Sequence, residues 1–123
     1  MVLSLDFSGD VPIYQQLRNQ IVLGIASGVL RPGEKLPTIR SLANELGINM
    51  MTVSKTYQTL KHEGYIASDR RNGAWIALKT DEHAALRKLE DALRLIVAEA
   101  RVSGIGEDTV AALCRKLYHE GER

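Results

Sequence analysis

Two groups of side chains in this sequence carry chemistry, and both suit a polyanion better than a reaction. One is Arg40, Asn49, Met50, Met51, Thr52, Ser54, Lys55 and Gln58; the other is Arg70-Arg71 ahead of Asn72-Gly73. Arginine and lysine neutralise phosphates, and they hydrogen-bond guanine. Asparagine and glutamine pair with adenine, and a methionine can touch a thymine methyl. The chain shows no nucleophile–base pair, no phosphate loop and no ligand cluster, so no enzymatic activity is expected. His62, His83 and His119 are far apart and lack ligand spacing, so neither a metal nor a cofactor is expected.

Such side chains are useful only if a helix presents them. Residues 39–58 have the spacing of two short helices crossing steeply. Ala43 is the small residue mid-way along the first, and Gly47 is the turn residue tolerant of positive φ. Ile48 and Val53 pin the second helix from inside. The 43–47–53 spacing is that of a helix–turn–helix whose second helix is free to enter a major groove. Thr38 is the expected N-cap of the first helix and Asn49 that of the second, with the Asn49 side chain taken up by the Thr52 N–H. Thr38 is placed with the DNA-facing set.

The neighbouring segments complete a small domain. Pro12 suits a first helical turn, and Ile13, Leu17, Ile21 and Ile25 recur at a spacing of four as far as Gly28. Lys35-Leu36-Pro37 reads as a short extended piece. Two short apolar runs flank Asn72-Gly73, which predicts a hairpin with a basic tip. Trp75 is expected to pack in the wing or core. Helix–turn–helix plus hairpin makes a winged helix–turn–helix over residues 1–79. Residues 80–123 predict two helices. In them Leu86, Leu89, Leu93, Ile96 and Val97, then Leu113 and Leu117, form an apolar stripe. The fold class is therefore mostly α with a small β wing (α+β).

Bulk composition fits this reading without proving it. The 123 residues have 45% hydrophobic and 25% charged side chains and a net charge of +1. The charge is uneven: residues 37–79 carry six bases against three acids, and residues 80–123 seven bases against nine acids. The middle segment is the expected polyanion-facing part. No apolar run suits a membrane span, and MVLSLDFSGD lacks a basic stretch ahead of an apolar one, so a cytoplasmic location without membrane contact is expected. The single cysteine, Cys114, excludes an internal disulfide and falls in an apolar helical period, where a buried thiol is expected.

Several motifs together resemble the GntR family of bacterial transcription regulators. They are Pro12-Ile13-Tyr14-Gln15-Gln16-Leu17, the run from Gly28 to Pro37, Arg40-Ser41-Leu42-Ala43, Glu45-Leu46-Gly47-Ile48-Asn49, Thr52-Val53 and Glu63-Gly64-Tyr65-Ile66. Asn49, Thr52-Val53 and Tyr57, followed by a short two-helix tail, look like the YtrA subfamily. The resemblance covers residues 8–78. It implies DNA contact by Arg40, by Asn49, Met51 and Thr52 in the first turn of the reading helix, and by Gly73 with its neighbours at the wing tip. Other subfamilies carry Arg where this chain has Met50 and Ser54, so bidentate guanine readout is unavailable from those two positions.

Plainer readings compete residue by residue. Arg40 could bridge to Glu45. Arg70 and Arg71 could merely keep an edge hairpin soluble. Lys55 is expected to reach DNA, whereas Lys61, near the far end of its helix, is expected in solvent. The tail stripe could fold back or pair with a second copy; dimerisation through residues 82–120 is expected, since an αα-hairpin this short buries its stripe poorly. The resulting expectation is a homodimeric, sequence-specific regulator of a palindromic double-stranded DNA operator, acting as a repressor. The alternatives are a winged-helix module that docks a protein, or one that binds RNA. An unidentified small-molecule effector, if one acts, is expected at the dimer interface or between domain and tail.

Overall fold

A computed structural model describes residues 3–120. The chain divides into two units, with the boundary in sequence between Thr80 and Asp81. The first contains α1 (Ile13–Ser27), α2 (Ile39–Leu46), α3 (Met50–His62), β1 (Ile66–Asp69) and β2 (Gly73–Ile76); the second contains α4 (Glu82–Val102) and α5 (Glu107–Tyr118).

The caps set the helix bounds of the first unit. Pro12 stands at the N-cap of α1, and Gly28 at its C-cap has φ 83°. The Thr38 side chain accepts the Ser41 N–H at 3.0 Å to start α2. Gly47 ends α2 at φ 67°, a left-handed conformation costly for any other common residue there, and its turn lets α3 start three residues later. Leu17 and Ile21 of α1, Leu42 and Ala43 of α2, and Val53, Tyr57 and Leu60 of α3 converge on one core, closed by Ile66 and Ile76 from the two strands. Ala43 is buried where the helix spacing demands a small residue.

Two polar groups are satisfied inside this core. The fully buried Thr56 hydroxyl donates toward the Tyr14 and Thr52 carbonyls, at 3.1 and 3.0 Å. The Tyr57 hydroxyl donates to the Pro37 carbonyl at 2.8 Å, and burial pushes its pKa up to about 12. Tyr57 thereby ties α3 to the segment entering α2.

The wing differs from the simple hairpin reading. β1 and β2 pair antiparallel from Ile66↔Ile76 to Asp69↔Gly73, so Arg70-Arg71-Asn72 is the connection and Gly73, at φ 74°, opens β2. Asn72-Gly73 is therefore not a two-residue turn centred on itself. The Asp69 carboxylate shapes the tip by accepting the Asn72 N–H at 2.5 Å and its side-chain amide at 3.0 Å. These bonds hold the Asp69 carboxyl below its usual range. The extended piece before Pro37 lies along β2 as a third, minimal strand. Lys35 bridges Trp75, the Leu36 N–H donates to Ala74, and the Ile76 N–H donates to Glu34.

A salt bridge between residues remote in sequence fastens α1 to the end of α3. Arg18 donates to both carboxylate oxygens of Glu63 at 2.9 Å, and its guanidinium lies 5.6 Å from the centre of the Tyr65 ring. Both charged side chains are largely buried, and the paired carboxylate raises the Arg18 pKa. Arg18→Ala removes two charge-assisted hydrogen bonds, which typically contribute about 1.5–3 kcal/mol. Thermal unfolding of the first unit should shift down by about 6–24 °C, at about 4–8 °C per kcal/mol for a domain of this size. An unchanged midpoint would show that the pair does not stabilise the fold.

The second unit is held differently. Asp81 caps α4 through the Ala84 N–H at 3.2 Å, and a turn through Gly104, at φ 73°, leads into α5. Neither helix has a buried residue; only Ala100, Val110 and Ala111 are half-buried. Cys114 is exposed, which corrects the expectation of a buried thiol. Burial there needs a covering surface that α4 and α5 do not provide for themselves.

Candidate nucleic-acid interface

The first turn of α3 is open. The Asn49 side chain accepts the Met51 N–H at 2.6 Å, not that of Thr52, whose N–H bonds the Asn49 carbonyl at 3.1 Å. A cap side chain can satisfy either of the two amides, and here it takes the nearer. Its acceptor is thus engaged by its own helix, as is that of Thr38 in α2. Met51, 78% exposed, and Met50 are open to solvent, and Thr52 is half-buried.

Further along α3, the side chains divide between two flanks. Ser54, Gln58 and Lys61 follow one another at the spacing that keeps one helical face. They line a groove of about 520 Å³ whose other walls include Thr38 and Arg40 at the start of α2 and Ser68, Asp69 and Gly73 of the wing. Tyr57, Ile39 and Ile66 contribute apolar surface to it. The Gln58 amide donates to the Ser54 hydroxyl at 3.4 Å. On the other flank, the Lys55 ammonium sits 4.0 Å from the centre of the Tyr14 ring of α1, a cation–π contact.

The groove therefore gathers Thr38, Arg40, Ser54, Gln58 and Gly73 from the expected site and adds Lys61, Ser68 and Asp69. Lys61 is exposed, as expected, and its ammonium also donates to the Ser68 carbonyl at 3.4 Å. The 54–58–61 stripe is the sequence signal that points to it. Asn49, Met50, Met51, Thr52 and Lys55 lie outside the groove lining, as do Arg70 and Arg71 in the wing connection. Arg40 is exposed and makes no ion pair with Glu45 among the described residues. Its guanidinium is thus uncommitted to the protein.

The tail residues occupy their own unit. Leu86, Leu89, Leu93, Ile96 and Val97 of α4 are exposed by 36–60%, and Leu113 and Leu117 of α5 are exposed as well. Among the described residues no group of His, Cys, Asp and Glu could hold a metal ion, and no helix is long and apolar enough to cross a membrane.

Known proteins share this arrangement. Residues 12–76 match the family described as bacterial regulatory proteins, gntR family. The HTH-type transcriptional repressor YtrA of Bacillus subtilis is 31% identical over 85% of this chain and 82% of its own. The structure of YtrA from Sulfolobus acidocaldarius, described as a GntR-family transcription factor, is similar with a TM-score of 0.70 and 35% identity. That match covers 83% of this chain and 99% of the other. The DNA-binding domain of AraR in complex with operator ORX1 is similar over 61% of this chain and 96% of its own, with a TM-score of 0.56 and 28% identity.

Proposed function

The chain belongs to the gntR family of bacterial regulatory proteins, and is thus a helix–turn–helix regulator that binds DNA; from that premise we propose that it is a repressor that reads a palindromic operator as a homodimer. The observation that carries this reading is the groove between α3 and the wing, with an unpaired Arg40 at its rim. With α3 in a major groove, the exposed first turn at Met50 and Met51 meets base edges. The wing then follows the flanking backbone. Arginine is absent from positions 50 and 54, so base readout there rests on apolar contact, and Arg40 is the strongest guanine- or phosphate-binding group on this face. The uncovered stripe of α4 and α5 supports pairing of two copies, which would set the spacing between two half-sites. Repression would follow from occupying DNA that polymerase needs, and the name of the Bacillus relative supports that sign of regulation.

Selection of bound duplexes from a random DNA library tests the proposal. A two-fold-symmetric consensus is expected. Recovery of a single unrepeated half-site, or of no consensus, would contradict it. Titrating candidate small molecules into the selected complex tests for an effector.

The wing makes a separate prediction. Arg70 and Arg71 lie in the connection shaped by Asp69 and Asn72. Replacing both with alanine should weaken binding to the operator and to random DNA alike. The salt slope should fall by about one to two units per bound copy, since each neutralised phosphate contributes about 0.9. An unchanged slope would assign the pair to solubility.

A further inference from the structure

We infer that Lys61 is a DNA-phosphate ligand, forming with Arg40 the cationic rim of a backbone seat between α3 and the wing. The inference rests on the DNA-binding reading above and assigns a residue that the helix–turn–helix pattern leaves out.

Three observations carry it. Lys61 is in the last turn of α3, yet it shares the groove-facing stripe with Ser54 and Gln58 and lines the same groove as Arg40. Its one hydrogen bond among the described residues, to the Ser68 carbonyl, is long at 3.4 Å. An ammonium has three protons to donate, so two remain for an acceptor entering the groove. Finally, the groove contains an anion. The Asp69 carboxylate is engaged by Asn72 and kept ionised, and the Lys61 charge contributes to that. Without Lys61 a phosphate would meet Arg40 against an ionised carboxylate, close to no net attraction. With it the groove is cationic.

Lys55 does not serve this place. One position after Ser54 along the helix, its side chain is carried about 100° round and rests on Tyr14. The open groove between a reading helix and its wing follows the course of one DNA strand, so a backbone phosphate is the acceptor its geometry suits. Lys61 also ties α3 to β1, and a change in affinity alone would not separate a strut from a phosphate ligand. Charge does separate them.

The test uses the full chain and a fluorescently labelled random-sequence duplex, with binding measured across a salt series. Lys61→Gln keeps a donor for the Ser68 carbonyl but removes the charge. It should bind more weakly, with a salt slope lower by about 0.9 per bound copy. Lys61→Arg should keep the slope of the unsubstituted protein, and the thermal midpoint of each variant should stay in place. A slope unchanged in Lys61→Gln while the unsubstituted protein binds would overturn the assignment and leave Lys61 a strut. Failure of the unsubstituted protein to bind the duplex even at low salt would overturn the DNA-binding reading and this inference with it.

Discussion

Leu93→Glu together with Ile96→Glu is expected to turn the protein into a monomer whose operator affinity collapses while the winged unit stays folded. Both residues lie in a stripe with Leu86, Leu89 and Val97 that α4 and α5 leave uncovered. Burying such a side chain fully contributes about 1.5–3 kcal/mol. These side chains are already about half covered, so with Leu113 and Leu117 over two copies the stripe offers about 10–20 kcal/mol, enough to offset a cost of association of about 4–15 kcal/mol. Two unpaired carboxylates per copy at its centre would reverse that balance. Joining two reading heads raises avidity by about 10²–10⁴, so the monomer should lose affinity on that scale for a symmetric site. Sedimentation and operator binding check the two halves of this expectation. An unsubstituted protein that sediments as a monomer at micromolar concentration, yet binds the symmetric site tightly, would remove the argument.

Arg40→Ala should weaken DNA binding more than any other single substitution on the groove-facing surface of the winged unit. Arg40 is exposed at the start of α2, lines the groove beside α3 and spends no hydrogen bond on the protein. Its removal should therefore cost binding without costing stability. The expected loss is about 1–3 kcal/mol per copy on the operator, the range for a good base or phosphate contact. Single-base operator variants separate the two. A uniform loss marks a backbone contact, and relaxed preference at one symmetric pair of positions marks a base contact. Normal binding by Arg40→Ala would mean that another face of the winged unit meets DNA.

The parts of this molecule that sequence reveals are those set by neighbours along the chain. Thr38, Gly47 and Asn49 mark helix ends because caps act within three residues, and the structure starts α2 and α3 immediately after these caps. The buried faces of α1 and α3 follow from helical periodicity. What sequence does not reveal depends on chain segments meeting from far apart. Arg18 and Glu63 are 45 residues apart, and no local pattern joins them. The Lys35–Trp75 bridge needs the wing folded before the extended piece has a strand to lie on. Lys61 reads as a solvated lysine and is indeed exposed, but only the return of β1 beside it makes it a wall of the groove. Cys114 fails for the opposite reason: its helical period marks an apolar face, but periodicity cannot say what covers that face.

The central claim is that two copies of the chain grip one symmetric DNA site. Sedimentation of the protein mixed with a duplex carrying the selected site, repeated across a salt series, tests it most directly. Two copies per duplex are expected, dissociating steeply as salt rises because each copy neutralises several phosphates. One copy per duplex, or a complex indifferent to salt, would contradict the account.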